Sequence, residues 1–202
     1  MIHIYKEGFN NHTLLLLHGT GGNENDLLNI AKYIDDEANV LSLRGDVSEN
    51  GLNRFFKRLS EGVFDEDDLK YRTQKLHKLL DDLSNQYGFD RANVTVVGYS
   101  NGANIAASLL FHYKDVLKRA ILLHPMVPLR NIEIPSLEKT SILITAGTND
   151  PICPVKESEE LFELLNNANG DVEISWFNFG HRLTEQEVFK AKEWFDKKEM
   201  TS

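Results

Sequence analysis

Hydrophobic positions along this chain fall into two kinds of segment. Short unbroken aliphatic runs occur at Thr13 to Leu17, Val40 to Leu43, Val94 to Val97, Ala120 to Leu123 and Ser141 to Thr145. Their length and lack of alternation suit strands buried on both faces. Ile2 to Tyr5 reads as an edge strand, and Val172 to Phe177 as the last strand. Longer segments with helical spacing lie between them: Asn25 to Ile34, Asp65 to Tyr87, Asn101 to Tyr113, Val155 to Asn166 and Thr184 to Lys198. Asn101 to Tyr113 is apolar nearly all round, which predicts deep packing. Thr184-Glu185-Gln186-Glu187 matches a capping box at the start of the last helix. Strand runs alternating with helices predict an α/β fold, a compact and mostly parallel sheet with helices on both faces.

The pattern breaks once. Arg44 to Phe64 is rich in Gly, Asn, Arg and Phe, and it is too long for a simple connection. Loops of that length often serve as lids or binding loops. The expected organisation is one domain over 1–202, with 44–64 as a segment covering a pocket.

Composition narrows the function. At 202 residues the chain suits one well-cored domain. Its net charge of −9 argues against nucleic acid or an anionic membrane as partner. The single cysteine, Cys153, precludes an intramolecular disulfide and fits a reducing compartment. Met1 to Glu7 lacks a basic stretch followed by an apolar run, so no signal peptide is expected. No aliphatic run approaches a membrane span. The expected location is cytoplasmic. There is no zinc-type Cys/His spacing, Walker A motif or Rossmann glycine pattern.

The sharpest motif is Gly98-Tyr99-Ser100-Asn101-Gly102. Five letters alone also fit an ordinary turn with an N-capping serine. Here the aliphatic run Val94 to Val97 leads directly in, and the Ala-rich segment after Gly102 leads directly out. Strand, elbow and helix are the context a G-x-S-x-G nucleophile turn requires. The turn lifts the Ser100 hydroxyl above the sheet and sets it at a helix N-terminus, where negative charge is favoured.

A serine hydroxyl needs a base, and the base needs an anion to fix its tautomer. Folds with this elbow place them in the order serine, acid, histidine. His112 lies inside the helix after the elbow, about three turns from Ser100. His124 ends a strand and could line the pocket. His181 follows the last strand through Asn178-Phe179-Gly180, where the base should sit. Asp150 is the only carboxylate in the turn after Ser141 to Thr145, and Pro151 holds its backbone extended. The expected catalytic set is Ser100, Asp150 and His181. The oxyanion would be held by the backbone N–H of Asn101 and by that of Thr20, in the loop His18-Gly19-Thr20-Gly21-Gly22.

Together with Asp150-Pro151 and Phe179-Gly180-His181, these motifs resemble the α/β-hydrolases, and more narrowly the phospholipase/carboxylesterase family that includes acyl-protein thioesterases. The likeness runs from the Thr13 strand to the last helix. Leu43-Arg44-Gly45, Arg54-Phe55-Phe56, Glu61-Gly62-Val63-Phe64-Asp65 and Pro125-Met126-Val127-Pro128 look most similar to small bacterial carboxylesterases, including hydrolases encoded with methylhydroquinone-resistance genes. The resemblance implies a serine esterase without metal or cofactor, a small-molecule ester substrate and, often, a homodimer. Gly22 stands where eukaryotic acyl-protein thioesterases usually carry an acidic residue, which weakens transfer of their long-acyl protein substrates. Ser100 separates the chain from dienelactone hydrolases, which use cysteine at the elbow.

The reading is a serine carboxylesterase for small or short-chain esters acting through an acyl-enzyme. The alternatives are an acyl thioesterase or lysophospholipase of the same family, or a non-catalytic ligand-binding homologue. Arg44 follows a strand end and is a candidate for the pocket rim. Phe55, Phe56 and Phe64 fit either an acyl pocket or a satellite core under a loop. Met126 is a further pocket candidate. Cys153, three residues after Asp150, reads as a packing residue or, less simply, as an oxidant sensor.

Overall fold

The computed structural model describes residues 1–201. Seven strands form the main sheet: β1 (His3–Lys6), β2 (Thr13–Leu17), β3 (Asn39–Leu43), β8 (Val94–Tyr99), β9 (Arg119–Leu123), β10 (Ser141–Gly147) and β11 (Asp171–Phe177). Their spatial order is β1-β3-β2-β8-β9-β10-β11. Only β1 runs antiparallel, pairing with β3 at the edge; the other neighbours are parallel. The helices are α1 (Leu28–Ile34), α2 (Glu66–Tyr87), α3 (Asn101–His112), α4 (Val155–Asn167) and α5 (Glu185–Met200).

The aliphatic strands are buried on both faces because side chains alternate across a strand. Leu15 and Leu17 of β2 join a core under α2, α3 and α4. Leu14 and Leu16 join a second core under α1 and α5, with Trp194 and Phe195. Every residue of α3 from Asn101 to Phe111 is buried, in keeping with its all-round apolar pattern. Asp65 caps α2 by accepting from Asp68 N–H. The capping box of α5 is present in full, with Thr184 and Glu187 exchanging hydrogen bonds.

The irregular stretch is two small hairpins, β4 (Val47–Glu49) with β5 (Leu52–Arg54), and β6 (Arg58–Ser60) with β7 (Val63–Phe64). Short two-stranded pieces gain little stability alone and rely on docking to the body. Here Gly21 N–H donates to Asn53 O and Phe55 N–H donates to Asn101 Oδ1, tying the segment to the loops at the ends of β2 and β8.

Strand order reverses at β2: the chain moves from β2 to β3 on one side and later returns to β8 on the other. Open α/β sheets leave a crevice beyond the carboxyl ends of the strands at such a switch point. The Gly-rich loop after β2 and the elbow after β8 meet there. Among the described residues, no helix is long and apolar enough to cross a membrane.

Candidate active site

The elbow after β8 is strained. Ser100 has φ 50° and ψ −112°, a conformation L-residues seldom adopt. The glycines two residues to either side, Gly98 and Gly102, have no room for side chains. A Cβ at Gly98 would lie 2.7 Å from Gly102 O and 2.8 Å from Ala103 N. A Cβ at Gly102 would be driven into the backbone of Leu17 and His18. This packing of strand against helix holds Ser100 up at the N-terminus of α3. Ser100 N–H continues the sheet bonding by donating to Leu123 O, 2.8 Å away.

Three distant stretches converge on the hydroxyl. Ser100 Oγ lies 2.8 Å from His181 Nε2. His181 Nδ1 lies 2.6 Å from Asp150 Oδ2. Asp150 Oδ1 accepts the N–H groups of Ile152 (2.8 Å) and Cys153 (2.9 Å). Burial alone would raise the Asp150 pKa, but these two N–H groups and His181 outweigh it and hold the carboxyl below its usual value. Tyr99 O–H donates to His181 O at 2.6 Å and steadies the histidine loop.

The loop after β2 is set by His18, whose Nδ1–H donates to Gly19 O (2.6 Å) while Nε2 accepts Gly45 N–H (3.0 Å). Burial lowers the His18 pKa, consistent with this neutral, one-donor role. Among the described residues, the Thr20 and Asn101 N–H groups engage no acceptor of the chain. Thr20 and Asn101 both line the small cavity over Ser100.

That cavity has a volume of about 40 Å³, room for roughly three water molecules. Phe64 and Met126 line it. Arg44, Phe55 and Phe56 do not. Arg44 turns away to Glu24, with Nε–Oε2 2.5 Å and Nη2–Oε1 2.7 Å. Phe55 and Phe56 are fully buried in the core, Phe55 against His18 and Phe56 edge-on to Phe64. Hydrophobicity alone did not separate these roles. Arg54, Arg58, Gly62, Asn104 and Ile152 complete the walls and were missed in the sequence. Two arginines flanking the Phe55-Phe56 pair were the available signal.

His124 lines the cavity, as expected, and also pairs with Asp150. Its Nδ1 lies 3.0 Å from Asp150 Oδ2, the oxygen that also meets His181. Its Nε2 lies 2.7 Å from Glu187 Oε1, a close ion pair too bent to be a well-aligned hydrogen bond. All three side chains are at most 1% exposed. Burial would lower the His124 pKa, but Glu187 and Asp150 outweigh it and raise it. Burial would raise the Glu187 pKa, and His124, Thr145 O–H and the α5 cap reverse that. Glu187 therefore has two jobs. Its Oε2 closes the capping box, while Oε1 reaches His124 and Thr145. Ligand atoms of His124, Asp150 and His181 lie within 4.8 Å of one another, a spacing a cation could bridge. Both Nδ1 atoms instead point at one carboxylate oxygen, and the Nε2 atoms face Ser100 and Glu187, which is a proton-bearing chain rather than a coordination set.

Two side chains take no part in this chemistry. His112 donates from Nδ1 to Ser108 O within its own helix. Cys153 is buried, its thiol donates to Pro125 O, and burial pushes its pKa up to about 12. A thiol in that state is a packing residue and a poor redox sensor.

Residues 4–199 match the family model described as phospholipase/carboxylesterase. The chain belongs to the phospholipase/carboxylesterase family. It is 54% identical to MhqD of Bacillus subtilis (strain 168) over 195 residues, covering 96% of this chain and 98% of that one. It is also similar to a solved Bacillus cereus carboxylesterase, at 58% identity and a TM-score of 0.95, with 96% and 93% of the two chains covered. The structure of YahD with malic acid matches at 30% identity and a TM-score of 0.92, over 97% and 98% of the two chains. The chain has the α/β-hydrolase fold and belongs with hydrolases of the carboxylesterase type.

Proposed function

We propose that this protein is a serine carboxylesterase that hydrolyses short-chain carboxylic esters through an acyl-enzyme. The observation that carries the reading is the unbroken hydrogen-bond path from Ser100 Oγ through His181 to Asp150, at 2.8 and 2.6 Å. His181 Nε2 takes the proton of Ser100 as Oγ attacks the ester carbonyl. The negative charge that develops on the carbonyl oxygen is met by the N–H groups of Thr20 and Asn101 and by the positive end of α3. His181 then passes its proton to the departing alkoxide, leaving the acyl group on Ser100. Water attacks that ester with His181 again as base, releasing the acid and restoring the hydroxyl.

The small cavity over Ser100, about 40 Å³, supports short acyl groups over long chains. The related YahD was solved with malic acid, a compact acid rather than a lipid. Turnover of 4-nitrophenyl acetate by wild type and Ser100→Ala tests the reading. Loss of all turnover above background in a folded variant is expected. Retained turnover would remove Ser100 as nucleophile and the mechanism with it.

A further inference from the structure

The cavity over Ser100 carries more charge than an esterase for neutral substrates requires. Arg54 and Arg58 both line it, and no carboxylate does among the described residues. Arg54 is 3% exposed, so its guanidinium is built into the wall. Its Nη1 donates to Thr20 Oγ1 at 2.6 Å and its Nε donates to Phe56 O at 3.1 Å. Arg58 Nε donates to both oxygens of Glu49, at 2.9 and 3.1 Å. Arg54 Nε also lies 3.2 Å from Glu49. One carboxylate thus serves two guanidinium groups, leaving a net charge of one positive unit beside the cavity. No acceptor among the described residues engages Arg58 Nη1 or Nη2. These are the outward ends of a planar fork that matches a carboxylate.

The cost of this arrangement is visible. Burial lowers the Arg54 pKa, and the neighbouring Arg58 charge lowers it further. Buried Arg54 and part-exposed Arg58 share the single carboxylate of Glu49, so a second anion at the cavity would offset the remaining positive charge. Phe64, Met126 and Ile152 supply the apolar remainder of the cavity. A small substrate with a short apolar stem and one anionic end fits both kinds of wall.

We propose that the preferred substrate is a small ester carrying a carboxylate close to the scissile bond, with Arg58 as the residue that receives it and Arg54 supporting it from behind. This rests on the esterase reading above and names the substrate class of the same site. The Arg54–Thr20 hydrogen bond gives the contact a further use. Thr20 belongs to the loop expected to hold the oxyanion, so a bound carboxylate and the oxyanion donor are fixed by adjoining side chains.

The test compares monomethyl succinate with dimethyl succinate, and acetoxyacetate with its methyl ester, so that the charge sits on the acyl or the alcohol side. Hydrolysis is followed by pH-stat in wild type, Arg58→Met and Arg58→Lys, with Tm measured for each. Wild type should favour one anionic ester over its neutral partner by at least tenfold in kcat/KM. Arg58→Met should lower that ratio at least tenfold, Arg58→Lys should restore part of it, and added salt should reduce it. Succinate binding to Ser100→Ala by calorimetry gives a readout without turnover; it should persist there and weaken at least tenfold when Arg58→Met is added. Neutral and anionic esters cleaved equally well by a Ser100-dependent enzyme would overturn the substrate class alone. So would Ser100→Ala that binds no succinate, or an Arg58→Met ratio equal to wild type. Turnover that survives Ser100→Ala would instead overturn the esterase mechanism.

Discussion

His124→Asn is the most informative perturbation outside the Ser100–His181–Asp150 path. Asparagine tolerates positive φ, so the change respects the φ of 54° at this position and isolates the loss of the imidazole. In the native protein the buried His124 imidazole, whose charged form both carboxylates favour, lies 3.0 Å from Asp150 and 2.7 Å from Glu187. Removing it leaves two buried carboxylates facing a neutral amide. Breaking a buried ion pair by deleting one partner typically costs about 3–5 kcal/mol. For a domain of this size that corresponds to a Tm drop of roughly 6–20 °C, at about 2–4 °C per kcal/mol.

The pH dependence identifies the cause. His124 has a raised pKa, so its stabilisation is complete below its unfolded value of about 6.5 and fades as pH rises through the higher folded value. Asp150 and Glu187 have lowered pKa values, so theirs is complete above about 4.5 and fades as pH falls through the lower folded values. The gap between wild type and His124→Asn should be widest between about pH 4.5 and 6.5 and shrink on both the acid and the alkaline side. Urea denaturation at several pH values measures it. Adding Glu187→Gln to the variant should recover part of the loss, because replacing both partners costs less than stranding one. A variant within about 1 kcal/mol of wild type, or a gap independent of pH, would refute the ion-pair reasoning.

Other predictions follow from single contacts. Phe55→Ala and Phe56→Ala should each cost about 3–5 kcal/mol, since both rings are fully buried, and denaturant titration reads this directly. Gly102→Ala should abolish soluble, folded protein or lower its stability by more than about 3 kcal/mol, because the added methyl meets the Leu17 backbone; circular dichroism of the purified variant decides. Thr184→Ala should cost about 1 kcal/mol by uncapping α5. Native Cys153 should resist iodoacetamide at pH 8 and react on unfolding, as mass spectrometry will report.

Much of the fold was legible because buried parallel strands declare themselves as aliphatic runs. Thr13–Leu17 begins and ends where the sequence pattern does, and the other main-sheet strands differ by one or two residues at their ends, whereas β4 to β7 fall in the stretch read as irregular. The elbow was legible because its glycines answer a packing demand between strand and helix that few other residues meet. His181 and Asp150 were expected from chain order, and the structure brings both within hydrogen-bonding reach of the path to Ser100.

The cavity walls were less legible. Arg44 to Phe64 has no period, so nothing in the sequence showed which side chains its hairpins aim inward. Phe55 and Phe56 have the hydrophobicity of a pocket and the burial of a core, and only the fold separates the two. Glu187 was visible as a capping residue, but a carboxylate has two oxygens. The second one reaches His124 across 63 residues of chain, a pairing that no local pattern encodes.

The central claim is that Ser100 is the nucleophile of a serine esterase. Intact-protein and peptide mass spectrometry after treatment with a fluorophosphonate test it most directly. Wild type should gain one adduct, on the peptide containing Ser100, in step with loss of 4-nitrophenyl acetate turnover, and folded Ser100→Ala should gain none. An adduct on another residue, or an unlabelled wild type that still hydrolyses the ester, would contradict the account.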